Sequence, residues 1–189
     1  MKNNTHKKGR IIASIVALST LTLALIIGIT TTTGEQKENE TSFKDYNDIK
    51  DLVDAYSMGK ITDSVASITS HEMFVIDNNE DVTVYDYQDE DFFVSIAPFI
   101  DQTHPCETHA LGDCQGELPE EEFEIRIEND KGDIITDETI ASKPNGFIDL
   151  WLPRDNTYTI TLTYDNKTVT GEITTFKGDD TCITTMQLV

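Results

Sequence analysis

"TYTITLTYDNKTVTGEITTF", residues 157–176, decides the fold. Its apolar and threonine residues alternate with a period of two, and Asp165-Asn166-Lys167 interrupts them. That pattern is a β-hairpin with a tight polar turn. Upstream, "NGFIDLWL" (145–152) opens on Asn145–Gly146, a strong turn signal. "EFEIRIE" (122–128) alternates again and "NDKGD" (129–133) turns the chain. "TCITTMQLV" (181–189) reads as a closing strand. Five or six short strands at this spacing make a small sandwich or partial barrel.

Further upstream the reading becomes α+β. "EMFVI" (72–76), "VTVYD" (82–86) and "FFVSIA" (92–97) are strand-like, with "DNNED" as the first turn. Before them, Ser42 has the place of a helix N-cap, with Asp45 three residues on. Phe43, Tyr46, Ile49, Leu52, Val53 and Tyr56 follow at helical spacing, and Gly59 ends the helix. "TDSVASIT" (62–69) suggests a second short helix. The expected fold class is thus α+β. A small helix-plus-meander unit spans 42–100, and a β-rich, sandwich-like domain spans 101–189 and includes the cysteine loop.

The first 34 residues differ in kind. Lys2, Lys7, Lys8 and Arg10 precede "IIASIVALSTLTLALIIGI" (11–29), 19 residues without a charge. At about 1.5 Å per residue this stretch can cross a bilayer core of about 30 Å. Basic residues before it and Glu35, Glu38 and Glu40 after it put the carboxy-terminal part outside the cytoplasm. An uncleaved membrane anchor is expected, since "TTTTG" is a poor cleavage site; secretion after cleavage is the alternative. Residues 35–41 are a polar tether. Beyond residue 33 the chain carries all 35 acids and only ten bases, a net −25. Phosphate recognition needs clustered Lys and Arg, so nucleic acid is excluded as a partner. The acidic surface keeps an exported protein soluble and also attracts cations.

"THPCETHALGDCQGELP" (103–119) holds Cys106 and Cys114 with His104 and His109; Cys182 is the third cysteine. An odd count in an exported chain leaves a thiol for partner pairing, redox work or metal. A structural zinc site uses closer Cys pairs. The Cys-x-x-Cys of a thioredoxin-like centre is missing, as is a G-x-S-x-G hydrolase motif. "DNNEDV" (77–82) lacks the glycine and the twelfth-position glutamate of a calcium loop, so it reads as solvated surface. Two readings stay open. One is a plain Cys106–Cys114 disulfide with Cys182 as an idle buried thiol. The other is copper: soft Cu(I) takes two or three thiolates, with His104 and His109 as borderline ligands nearby. On a strand, Met186 would share a face with Cys182. His71 reads as a surface or structural residue, and His6 falls in the cytoplasmic tail.

Three blocks carry a family resemblance: "FFVSIAPFIDQTHPCETHALGDCQGEL" (92–118), "NGFIDLWLPRD" (145–155) and "DDTCITTMQL" (179–188). Together they resemble the CueP family of exported copper-binding, copper-resistance proteins over roughly residues 70–189. The resemblance implies that Cys106, Cys114 and Cys182 are metal-binding cysteines holding Cu(I) as thiolates in a trigonal site. His104 then serves as auxiliary ligand or first acceptor of Cu(II), with His109 behind it. The implied function is copper sequestration outside the membrane and copper resistance. Catalysis is not implied, although the thiols could reduce Cu(II) stoichiometrically. A metal recipient or a thiol-reducing partner would complete the picture. Familiar members are periplasmic with a cleaved leader, and the segment at 11–29 departs from that. The competing classes are a disulfide-stapled surface domain without metal and a thiol oxidoreductase.

Overall fold

Alternation along strands fixes which face of each is buried, and the described residues build three sheets on that rule. The computed structural model describes residues 41–189. The expected membrane segment at 11–29 and most of the tether at 35–41 lie outside them. No helix among the described residues is long and apolar enough to cross a membrane.

Ser42 and Asp45 form the expected capping box, but on a single 3-10 turn, Phe43–Asp45. The helix proper, α1, is Ile49–Ser57. Asp48 caps it anew by accepting from the amides of Lys50 and Asp51, which is why one continuous helix does not form. Gly59, at φ +66°, sits just beyond its end.

The second expected helix is a strand, β1 (Ser64–Ile68). Ala66 and Ile68 are buried and Val65 is exposed, a period of two that pairing with the next strand rewards. β2 (Glu72–Asp77) and β3 (Val82–Asp86) continue this antiparallel sheet, and the short β5 (His109–Ala110) joins β1 on its other side. The first sheet runs β3-β2-β1-β5. Its inner face packs against Leu52, Val53 and Tyr56 of α1.

β4 (Phe92–Ile96) does not extend that sheet. It is the middle of another, with β8 (Ile148–Leu152) antiparallel on one side and β11 (Cys182–Ile183) parallel on the other. All five β4 residues are buried. Phe92, Val94 and Ile96 face one core while Phe93 enters the core under α1. A strand covered on both faces reads as an unbroken apolar run.

The remaining sheet is β10-β9-β6-β7, from β6 (Glu122–Asn129), β7 (Ile134–Ala141), β9 (Thr157–Tyr164) and β10 (Lys167–Thr174). β9 and β10 pair from Lys167↔Tyr164 to Thr174↔Thr157, the hairpin read from the sequence. Phe123, Ile125, Ile127, Tyr158, Ile160, Leu162 and Ile173 pack on the β4 sheet. The result is mostly β-sheet with one short helix, the β-rich, sandwich-like part of the expectation.

Arg154 ties the layers together. Its guanidinium donates to the carbonyls of Glu90 (2.7 Å), Ser70 (2.7 Å) and Tyr87 (3.1 Å), and lies over the rings of Tyr87 and Phe92. The described residues belong to one compact unit, Lys37–Val189.

Candidate metal centre

Two sheet edges and one loop meet at the cysteines. β11, a two-residue strand, supplies Cys182, which pairs in parallel with Ser95 of β4. β5, equally short, supplies His109 opposite Ile68 of β1. The loop from Ala97 to Glu121 carries Cys106 and Cys114 and is fastened along its length by polar bonds. The Glu117 carboxylate accepts the amides of Ile100 (2.6 Å) and Asp101 (3.0 Å). Thr103 donates to the Thr184 carbonyl at 2.7 Å. The Glu107 carbonyl accepts the amides of Thr181 (3.0 Å) and Cys182 (3.1 Å), which locks the loop to β11. Thr181 accepts from the His109 amide through Oγ1 at 3.2 Å and donates from it to the Ile68 carbonyl at 2.6 Å. One hydroxyl thereby joins β11, β5 and β1.

The far end of the loop is held by a close backbone approach. Gly116 donates to the Asn145 carbonyl at 2.7 Å. A Cβ on Gly116 would lie 2.5 Å from the Gly146 carbonyl oxygen, so only glycine fits. Gly146 itself sits at φ +80° in the turn before β8. Cys114 donates its amide to the Ala110 carbonyl at 3.0 Å, which closes the turn after β5.

These restraints bring all three cysteines together. Cys106 and Cys182 pair at disulfide distance, with Cα atoms 5.6 Å apart. The Cys114 sulfur lies 3.6 Å from that of Cys106. The expected Cys106–Cys114 staple is not what the structure places: the sulfur nearest Cys106 is that of Cys182, and Cys114 stands further off. The loop docks on the β11 edge, which brings a cysteine 76 positions away nearer than one eight positions away. Cys182 is 1% exposed, whereas Cys106 and Cys114 are half-buried at the rim.

Both histidines stand beside the sulfurs. Ligand atoms of His104, Cys106 and Cys114 lie within 4.8 Å of one another, and so do those of His109, Cys114 and Cys182. Phe147 carries both imidazoles, His109 at 4.6 Å and His104 at 6.4 Å between ring centroids. His109 is fully buried, with Nδ1 3.5 Å from the Cys182 sulfur and Nε2 without a partner. Burial, and then the nearby His104, depress its pKa to about 4, so it is a neutral imidazole at neutral pH. Burial pushes the Cys114 thiol up. Sulfur beside imidazole nitrogen is a soft donor combination, which suits copper better than a hard cation.

Met186 takes no part. The chain leaves strand geometry after Ile183, so the even-offset argument fails. Met186 enters the sandwich core, where a Cβ on Gly171 would meet its sulfur at 2.6 Å. His71 hydrogen-bonds Ser70 at 3.0 Å and stands 3.7 Å from Glu72. The sequence reading passed over Thr181, Glu117 and Gly116, which hold the cysteines in place, and took Gly146 only for a turn. "CQGEL" and "NGF" are visible in the chain, but their mutual contact is not.

Residues 48–187 match the family model for "Periplasmic copper-binding protein CueP". The solved structure named "Crystal Structure of S.CueP" is 33% identical and superposes with a TM-score of 0.71. That match covers 76% of this chain and 89% of the other. No curated protein matches the chain. On the family match and on this likeness of sequence and fold, the chain belongs to the CueP family of periplasmic copper-binding proteins.

Proposed function

We propose that the protein sequesters Cu(I) outside the cytoplasmic membrane through the thiolates of Cys106, Cys114 and Cys182, and so limits copper toxicity. The observation that carries this reading is the convergence of three sulfurs from a loop and a distant strand, with Cys106 touching both others. Family membership supports copper as the ligand and an extracytoplasmic location. His104, at the half-buried rim, is the first acceptor of Cu(II) or an auxiliary ligand; His109 is the deeper nitrogen. Metal binding needs the Cys106–Cys182 pair in its dithiol form, because thiolates are the ligands. The same pair can reduce copper: two thiols closing to one disulfide release two protons and two electrons, which convert two Cu(II) to two Cu(I). An anchor at 11–29 would hold the site at the membrane surface.

Anaerobic titration of the reduced protein with Cu(I) against a chromogenic Cu(I) chelator tests this. The expected result is tight one-to-one binding, weakened about a hundredfold in Cys182→Ser, roughly 2.7 kcal/mol. Equal binding by both proteins removes the three-thiolate site. A second reading rests on the Cys106–Cys182 pairing alone: a permanent staple in a surface domain. It expects that pair to resist reductants and copper to leave the thiols untouched.

A further inference from the structure

Three cysteines cannot all pair, so closing any two of them leaves one thiol. Cys106 and Cys182 stand at disulfide distance, and Cys114 is the free one. We propose that the centre in this closed form keeps a second, smaller metal site, in which Cys114 with the imidazoles of His104 and His109 holds one Cu(I) ion. The identity of the ion rests on the reading above; the site itself is what remains once pairing has removed two of the three thiolates.

Which cysteine is left over decides what the closed form can do. A ligand atom of His104 lies within 4.8 Å of the Cys114 sulfur, and so does one of His109. Cys106 joins a group with His104 and Cys182 joins one with His109, whereas Cys114 belongs to both. Pairing Cys114 with Cys106 would leave Cys182 beside His109, and pairing it with Cys182 would leave Cys106 beside His104. The pairing present leaves the thiol that reaches both imidazoles. These donors are also held independently of the pair. The Cys114 amide donates to the Ala110 carbonyl at 3.0 Å, and the Leu111 amide donates to the Ala66 carbonyl at 2.9 Å, which fastens the turn to β1. Phe147, which carries both imidazoles, is fixed by its own turn. Its amide donates to Asn145 Oδ1 at 3.1 Å and its carbonyl accepts the Lys143 amide at 2.7 Å. His109 is fully buried with Nε2 unpartnered, and His104 makes no hydrogen bond among the described residues.

One thiolate with imidazole nitrogens is a donor set that soft Cu(I) accepts, and two or three such donors satisfy it. A hard divalent ion needs oxygens that this trio lacks. On binding, the ion replaces the Cys114 proton, which passes to water, and no electron moves. The electron count given above supplies the site with a use. Closing the Cys106–Cys182 pair turns two Cu(II) into two Cu(I), and the remaining trio retains one of them. Outside the cytoplasm, where thiol pairs close, copper capacity then falls to this smaller site instead of vanishing.

The test uses the full chain, oxidised until alkylation and mass spectrometry find Cys114 as the one free thiol. It is titrated anaerobically with Cu(I) against a chromogenic Cu(I) chelator, and X-ray absorption of the complex counts sulfur and nitrogen neighbours. The expected result is one Cu(I) per chain, with one sulfur and the rest nitrogen around it, and an unchanged thiol count after the copper is stripped. Loss of a direct ligand costs at least what loss of a supporting hydrogen bond does. Cys114→Ser should therefore weaken binding about a hundredfold and His104→Ala about tenfold. Both variants keep the Cys106–Cys182 pair, and the same alkylation assay verifies it. Equal affinity of the wild type and Cys114→Ser overturns the site. A shell without nitrogen, or one with three sulfurs because the pair has reopened, overturns it as well. The reduced protein is not involved, so failure here leaves the three-thiolate titration unaffected, and failure of that titration leaves this site standing.

Discussion

The sandwich core and the thiol centre are held by different forces. Between β6, β9 and β4 the contacts are apolar and numerous, so register and burial follow from alternation. At the centre, position is set by a few polar bonds from a loop to two short strand edges: Glu107 to β11, Thr181 to β5, Glu117 to the loop's own start. Loss of one contact in the core is shared among many neighbours. Loss of one bond at the centre moves a sulfur. A core therefore costs stability when damaged, and a loop-built site costs function.

The largest expected effect separates the two. Phe123→Ala removes a fully buried ring between the sandwich sheets and should cost about 4 kcal/mol in denaturant unfolding. Its Cu(I) stoichiometry below the melting range should not change. If copper binding falls in step with stability, the two regions are not separable. Gly116→Ala should cost about 2–3 kcal/mol, because a Cβ 2.5 Å from a backbone carbonyl forces the loop off the β8 turn. It should also weaken Cu(I) binding about tenfold by shifting Cys114. The internal control is Gly171→Ala. It meets the Met186 sulfur at 2.6 Å, but a thioether can swing aside, so about 1 kcal/mol or less is expected, with no change in copper affinity.

This contrast also explains what the sequence made legible. β2, β3, β4, β6 and the β9–β10 hairpin each alternate or run apolar, and each lies where the pattern puts it. β7 is an edge strand with no buried face, so it carries no apolar stripe to read. β1 read as a helix because "SVASI" is short and its strand character comes from its partner β2. At the centre the residue types were visible: three cysteines and two histidines. Their pairing was not, since Cys106 meets Cys182 only after β11 docks in parallel on β4, a contact with no local signature. Met186 illustrates the limit of periodicity, because a strand of two residues ends before an even offset can apply.

A smaller effect falls on the loop itself. Glu117→Gln keeps the shape but removes the charge that strengthens the bonds from Ile100 and Asp101. It should cost about 1 kcal/mol or less in stability. Its larger signature should be faster alkylation of Cys114 in the reduced, metal-free protein, since the loop's start is less firmly held. Unchanged alkylation would mean that Thr103 and Glu107 suffice.

The smallest effect, and one of opposite sign, concerns a row that links core and centre. On β8, Asp149 lies opposite Ser95 of β4, which in turn pairs with Cys182 of β11. Ser95 donates to its Oδ1 at 2.6 Å, and Oδ2 is buried without a partner. Burial raises the Asp149 pKa above its ordinary 3.8, against the hydroxyls of Ser57 and Ser95 and the charge of Lys143. Between the ordinary value and the raised folded one, the folded form holds a proton that the unfolded chain has released. Stability from this group is fully present below about 3.8 and is lost as pH rises through the folded value. Asp149→Asn cannot ionise, so it should melt above the wild type at pH 7, by a margin that shrinks as pH falls toward the ordinary carboxylate range. Parallel melting curves across that range would show that water reaches the carboxylate. A margin that closes on acidification would show that a carboxylate on the α1 side of β8, two strands from the buried cysteine and beside Lys143 and Asp54, costs stability at neutral pH.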